Sequence, residues 1–540
     1  MADHHAEPHA DASADKSAPS SSPAPASSPS PSSREEPKER LVTTEHRAVV
    51  GKRTLDYSVT CGTVVLREDE QRDGQRSADK PRASLFFIAY TLKGVEPASR
   101  PVTFSFNGGP GSSSVWLHLG ILGPQRVVTD EMGNAPPPPY ALTDNEHTLL
   151  TDSDLVFIDP VGTGHSRMVE GEKVAEFHDY QRDLDAVGEF IRLYLARYGR
   201  WGSPKYLIGE SYGTTRAAGL SLHLQDKHDV FLNGVMLVSL AVDLQTLHFD
   251  HGNELPYPLF LPTYAATAWY HRALAPALQK KPLATVIAAA EAFALGDYTV
   301  ALMAGSTLDA KTRQRIAEQV ALYSGLSVAY VLRCDLRPRE FRYFKELLRE
   351  RGQTVGRLDS RFLGLDRDDA GEEPEGDPAM SNLLGAYASG INRLLKDTLK
   401  FDTDAPYVVH APIWDKWGWK DFAGKYVNVG GSLRRAMHAN PAMRVYVASG
   451  YYDLATPHAA GDYTLSHLGL REPLRKNVSV SYFEAGHMMY IHQPSLKRMA
   501  GELRAFVRGG LTADRPQRYG WPGTPDPPDI DTRLCCHSCN

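Results

Sequence analysis

Cysteine is scarce, with five in 540 residues, at Cys61, Cys334, Cys535, Cys536 and Cys539. Only the first two fall within the part of the chain that reads as folded. One disulfide between them is possible, but a disulfide-rich secreted scaffold is excluded. No unbroken apolar run of roughly 18 residues occurs, so no membrane span is expected. A basic excess is also missing. Lys and Arg number 59 against 65 Asp and Glu, for a net charge of -6, and no basic run stands out. No nucleic-acid partner is expected. The first 33 residues lack the apolar core of a secretory signal. As the sequence stands it reads as cytoplasmic; an export signal missing from the record would make it periplasmic or secreted. What is present is ordinary globular composition, 42% apolar and 23% charged. A chain of this length exceeds one compact core, so two or three structural units are expected.

Both ends are low in complexity. Residues 1–40 are dominated by Ala, Ser, Pro, Asp and His, and cannot bury enough apolar surface to offset their ordering entropy. His4, His5 and His9 there read as solvated, not as metal ligands, because no framework fixes them. Residues 512–540 are rich in Pro and Asp and end in Cys535, Cys536, His537 and Cys539. Adjacent cysteines on a short free end rarely close a zinc tetrahedron. Between the ends, short apolar runs read as buried strands: 84–92, 102–106, 155–159, 206–208 and 235–240. Leu184, Val187, Ile191 and Tyr194 share one helical face between two of them. That succession implies parallel strands joined by crossover helices. From 249 to 425 the chain reads as mainly helical, including 283–304, 312–323 and 341–351. Strand patterns return at 444–449 and 478–483. The expectation is one sheet, built from 41–248 and 426–511, interrupted by a helical cap.

The strand at 206–208 runs into Gly209-Glu210-Ser211-Tyr212-Gly213, and a helical pattern follows over 214–225. A G-x-S-x-G between strand and helix is a nucleophile turn: flanking small residues permit the close approach, and the hydroxyl projects at the carboxyl end of the sheet. This placement predicts an α/β-hydrolase fold with helices on both sheet faces and Ser211 as nucleophile. A serine hydroxyl needs a base, and in this fold the acid and then the histidine follow the serine in the chain. Of 20 histidines, His487 fits best, four residues past the strand at 478–483. Asp453 stands likewise past the strand at 444–449. Asp462, His458 and His492 are rivals, but each sits later in its loop or in a following helix. The chemistry is acyl transfer, which needs no metal or organic cofactor. After the strand at 102–106 comes Asn107-Gly108-Gly109-Pro110-Gly111-Ser112-Ser113-Ser114. It lacks the Gly-Lys-Ser/Thr ending of a nucleotide loop and suits an oxyanion hole.

These segments resemble the serine carboxypeptidases of peptidase family S10. The matching wording is Asn107-Gly108-Gly109-Pro110-Gly111-x-Ser113-Ser114, Asp159-Pro160-Val161-Gly162-Thr163-Gly164-x-Ser166, Gly209-Glu210-Ser211-Tyr212, Gly450-x-x-Asp453 and Gly486-His487-Met488. The run from Pro256 to Tyr264 also resembles bacterial members. The resemblance implies a peptide substrate with a free C-terminus, cleaved at its last bond. It implies oxyanion donors at Gly109 and Tyr212, and a substrate-carboxylate site made of Asn107, Gly108 and Glu210. Two carboxylates repel, so Glu210 would act protonated, and peptide turnover is expected to strengthen at acidic pH. Three positions depart from the family pattern: Phe106 for the usual tryptophan, Ser112 for a cysteine, and Ile121 where many members carry a glutamate of the carboxylate network. An esterase or acyltransferase with the same triad is the alternative, and a non-catalytic scaffold is a third reading. Asn477-Val478-Ser479 is a glycosylation sequon by its letters and reads as strand sequence. The sequence does not indicate an oligomeric state.

Overall fold

A ten-stranded sheet organises the molecule. The structure is a computed structural model and describes residues 37–72 and 75–509. His4, His5, His9, Cys535, Cys536, His537 and Cys539 lie outside the described residues. Across the sheet the strands run Arg40–Val50, Arg53–Arg72, Gln75–Leu92, Asp154–Ile158, Val102–Phe106, Lys205–Ser211, Gly234–Leu240, Arg444–Gly450 and Val478–Phe483. The short Arg167–Met168 strand pairs with Gln75–Leu92. From Asp154–Ile158 onward every neighbouring pair is parallel, and the first four strands are antiparallel to one another.

Alternation along the parallel strands builds two cores, because successive side chains point to opposite faces. Ile208, Met236, Val238, Tyr446 and Ala448 face one side, where the helices Pro378–Arg393 and Gln493–Val507 pack. Leu207, Val235, Leu237, Val445 and Val447 face the other, against Tyr180–Arg197, Tyr212–His228 and Gly430–Ala439. The helix Tyr180–Arg197 buries the predicted stripe of Leu184, Val187, Ile191 and Tyr194. Asp179 caps its start by accepting from Gln181 N at 3.2 Å. The antiparallel hairpin is longer than the apolar runs indicate. Residues 40–50 alternate exposed and half-buried positions, so a search for continuous apolar runs does not register them.

Between Gly234–Leu240 and Arg444–Gly450 the chain forms a third core, in which Phe260, Tyr264, Val286, Ala290, Ile316 and Val320 are buried. The pattern at 312–323 becomes the helix Ala310–Ser324, while two other patterns are broken up. The pattern at 283–304 divides at Gly296, whose φ of -91° and ψ of -108° leave the helical region. The pattern at 341–351 becomes Glu340–Glu346 followed by a single turn, Arg349–Arg351. No α-helix lies between Thr398 and Gly430; the chain there lays Val408 and His410 against Gly164 and Ser112 as isolated bridges. Among the described residues, Leu283–Thr307 is the one helical run with the length and apolarity to cross a membrane. Its Val286, Ala290, Ala294, Tyr298, Ala301 and Leu302 are buried in the third core. Cys61 and Cys334 are both free thiols, so the possible disulfide is absent. Cys61 is enclosed in the sheet, and Cys334 follows the separate helix Val328–Arg333.

Candidate active site

Ser211 ends a central strand and starts the helix Tyr212–His228, with φ 61° and ψ -129°. A serine holds that left-handed backbone only when its surroundings enforce it. They do so here by leaving no room for side chains. A Cβ on Gly209 would stand 2.1 Å from Gly213 O, and one on Gly213 would stand 2.9 Å from Phe106 O. Thr214 Oγ1 donates to Ser211 O at 2.7 Å and accepts from Ala241 N at 2.8 Å, which ties the turn to the adjacent strand end.

The two strands on that side of the sheet carry the acid and the base past their carboxyl ends. Asp453 is fully buried and His487 nearly so. Asp453 Oδ2 and His487 Nδ1 are 2.8 Å apart. The carboxylate is held from behind: Oδ1 accepts from Ala455 N and Thr456 N, each at 2.9 Å, and Oδ2 accepts from Thr456 Oγ1 at 2.7 Å. Ser239 Oγ donates to His487 O at 2.7 Å. Burial opposes a charge on His487, but the charge and hydrogen bond of Asp453 outweigh it, with Glu210 adding, and its pKa lies above the ordinary histidine value. The Ser211 hydroxyl stands at the same edge of the parallel sheet. It is not hydrogen-bonded to His487 among the described residues; such contacts commonly tighten only with substrate in place. The rivals are engaged elsewhere. His458 Nε2 meets Glu291 Oε1 at 3.1 Å, Asp462 Oδ1 accepts from Tyr482 at 2.6 Å, and His492 Nδ1 meets Ser495 Oγ at 2.8 Å.

The Gly-rich loop lies directly on the serine turn. A Cβ on Gly108 would fall 2.4 Å from Tyr212 N and 2.7 Å from Glu210 O. Gly109 and Gly111 take φ of 102° and 110°, which side-chain-bearing residues rarely adopt. Asn107 Oδ1 accepts from Leu117 N at 3.1 Å, which aims its amide so that Nδ2 donates to Glu210 Oε1 at 2.9 Å. Glu210 Oε2 has no hydrogen-bond partner, and the Tyr490 hydroxyl faces this carboxyl outside hydrogen-bonding geometry. Burial pushes the Glu210 pKa up to about 7, against the lowering influence of His487, Tyr490 and Asn107. The carboxyl therefore holds its proton up to neutrality and can donate from it.

Arg216 is a further part of this site that sequence reasoning missed. It is fully buried and donates from Nε to Asp183 Oδ2 at 2.7 Å and from Nη1 to Asn107 O at 2.6 Å. Its guanidinium lies 5.0 Å from the Tyr212 ring centre and 5.3 Å from that of Phe106. The Tyr212 hydroxyl donates to the same Asp183 oxygen at 3.2 Å. The one available signal was an arginine inside an otherwise uncharged helical stretch. Of the departing positions, Phe106 lies under Arg216, the Ser112 hydroxyl meets His410 Nδ1 at 3.1 Å, and Ile121 is buried in the same apolar core that contains Tyr490. No cluster of three or more His, Cys, Asp or Glu suited to a metal ion occurs among the described residues.

A mostly parallel sheet, a serine on a strained strand-to-helix turn and a hydrogen-bonded Asp–His pair past later strands define an α/β-hydrolase. Residues 68–246 match the family model described as serine carboxypeptidase. Serine carboxypeptidase-like 33 of Arabidopsis thaliana is 31% identical over 150 residues, 27% of this chain and 30% of that protein. Pheromone-processing carboxypeptidase KEX1 of Verticillium alfalfae is 27% identical over 152 residues, 27% of this chain and 21% of that protein. The match thus spans a third or less of the length of these relatives. Among solved structures, the proline iminopeptidase of Mycobacterium smegmatis aligns over 86% of this chain and 98% of its own, at 13% identity and a TM-score of 0.33. A monoglyceride lipase variant from Saccharomyces cerevisiae covers 83% and 96%, at 11% identity and the same TM-score.

Proposed function

We propose that the chain is a serine carboxypeptidase that removes the last residue of peptides with a free C-terminus. Ser211 Oγ attacks the scissile carbonyl carbon while His487 takes its proton, and Asp453 fixes the imidazole and stabilises its charge. The tetrahedral oxyanion is received by the backbone N–H groups of Gly109 and Tyr212. His487 passes the proton to the leaving amine as the C–N bond breaks, and an acyl-enzyme remains on Ser211. Water then attacks the ester, gives its proton to His487, and the acid product leaves as Ser211 recovers a proton. Asn107, the Gly108 backbone and Glu210 bind the substrate's terminal carboxylate. Glu210 is the observation that carries this specificity. It adjoins Ser211, is bonded to Asn107, and has a carboxyl held protonated up to about pH 7 by burial.

The reading is tested with a blocked dipeptide that has a free carboxylate, its C-terminal amide, and a simple ester. The amide is expected to lose most of the activity. Ser211→Ala is expected to reduce kcat by a factor on the order of 10^5 to 10^6 and to abolish labelling by a fluorophosphonate. Equal turnover of acid and amide, with the ester preferred, would instead select an esterase or acyltransferase. Ile121, apolar and buried, favours that second reading, because it withholds one carboxyl from the binding network.

A further inference from the structure

Residues 356–362 form a tight loop between the paired segments Thr354–Val355 and Leu363–Gly364. This loop touches both segments that carry the acid and the base. His487 N donates to Leu358 O at 2.6 Å, Ser360 N donates to Tyr452 O at 3.0 Å, and Leu454 N donates to Arg357 O at 3.1 Å. Asp359 is at its centre. Its Oδ2 accepts from Gly486 N at 3.0 Å and from Arg361 Nη2 at 2.6 Å. Its Oδ1 accepts from Arg361 N at 3.1 Å and Arg361 Nε at 2.9 Å. Arg361 Nη1 also reaches Glu484 O at 3.4 Å. Both side chains are buried. Gly486 fits against them because it has no side chain; a Cβ there would stand 2.4 Å from Asp359 Cβ. The loop is braced from behind by Asp377, which caps the helix Pro378–Arg393 and accepts from Arg357 N at 3.2 Å and Leu358 N at 3.0 Å.

We infer that Asp359 is a positioning residue: by bonding Gly486 N it sets the height and orientation of His487 relative to Asp453 and Ser211. The inference rests on His487 acting as the base for Ser211. Asp359 touches neither ring nitrogen of His487 nor the serine. It acts through the backbone one residue before the base, and Arg361 neutralises its charge so that the carboxylate can sit buried. A displacement of about 1 Å at a general base costs on the order of 100-fold in rate. The hydrogen bonds from this loop to both neighbours of the Asp–His pair suppress that displacement.

The test is the rate constant for labelling Ser211 by a small fluorophosphonate, measured with peptide kinetics on wild type, Asp359→Ala and Asp359→Asn. The asparagine variant keeps an oxygen for Gly486 N but loses the charge that faces Arg361. Asp359→Ala is expected to label roughly 10- to 100-fold more slowly, with kcat reduced alike and KM near the wild-type value. Asp359→Asn is expected to recover part of that loss. In both variants the acid limb of the labelling profile moves towards the ordinary histidine pKa as His487 loosens from Asp453. If Asp359→Ala does not fold, Asp359→Asn alone carries the test through its rate and its acid limb. A lowered unfolding midpoint with a wild-type labelling rate in the folded protein marks a merely structural ion pair and overturns the inference. If wild type itself is not labelled, the proposed hydrolase function fails too, whereas labelled wild type with equally labelled variants sinks this inference alone.

Discussion

Glu210 concentrates the chemistry at the residue scale. Its ordinary pKa is 4.5 and burial moves it to about 7. The protonated form can donate to a substrate carboxylate; the ionised form repels it. His487 must be neutral to act as a base, so its ionisation sets the acid limb of activity. In the proposed role Glu210 would set an alkaline limb that peptides with a free carboxylate feel and simple esters do not. The ratio of peptide to ester kcat/KM is expected to fall as pH rises through about 7, because both substrates share the acid limb of His487 and only the peptide depends on Glu210. In Glu210→Gln, which keeps a donor at every pH, the alkaline limb is expected to disappear. A peptide profile that climbs steadily into the alkaline range would refute this role for Glu210. Ser211, Asp453 and His487 were legible because each lies a few residues beyond a recognisable strand. Arg216 and Asp359 were not, because their partners lie far away in sequence: Asn107 for one, Gly486 for the other. No local pattern encodes such a pairing.

At the scale of elements, the serine turn and the Gly-rich loop act as one unit, because backbone packs on backbone between them. Gly108→Ala tests this directly. Its Cβ would fall 2.4 Å from Tyr212 N, one of the two proposed oxyanion donors. Neither backbone can yield without moving that donor. The variant is expected to lose about 100-fold or more in kcat, the scale of removing one oxyanion donor. Gly431→Ala is the contrast. Gly431 lies in the helix Gly430–Ala439 with open space around its Cβ position. That change is expected to raise stability by about 0.5–1 kcal/mol, since alanine loses less entropy in a helix, and to leave kcat unchanged. Urea unfolding and steady-state kinetics on both variants separate the two effects. The parallel strands were legible at this scale because burial on both faces makes them continuous apolar runs. The antiparallel hairpin was only partly so, since the sequence reading recovered the end of Gln75–Leu92 and missed Arg40–Val50 and Arg53–Arg72. One face of such strands meets solvent, and charge there breaks the run.

Over the whole molecule, buried titratable groups pull stability in opposite directions with pH. Burial raises Asp159 to about 6 and Glu210 and Asp462 to about 7, from ordinary values of 3.8, 4.5 and 3.8. In each case the folded state keeps a proton that the unfolded chain gives up. Their contribution is therefore full below the ordinary value and is lost as pH rises through the folded value. Burial lowers His118 to about 3 and His165 and His223 to about 4, from 6.5. There the unfolded chain binds the proton first, so stability is full above 6.5 and falls as pH drops towards 4. Burial also holds His46, His147, His178, His228, His248, His271, His410 and His492 low. Among the described residues it holds Asp183, Asp243, Glu340 and Asp377 high in the same way, and His487 adds one more group that favours acid. Among the described residues the histidines held low outnumber the carboxyl groups held high. Unfolding near about pH 5 is expected to take up protons, and the thermal midpoint there is expected to lie below that at pH 7. Calorimetry in buffers of different ionisation enthalpy measures the proton uptake directly; a midpoint that holds or rises on acidification would show that the carboxylates dominate instead. In the proposed role peptide turnover gains from a protonated Glu210 on the acid side of about pH 7, whereas the fold is expected to be firmest near neutrality. The pH of greatest peptide turnover over long incubations is therefore set closer to neutral than Glu210 alone dictates.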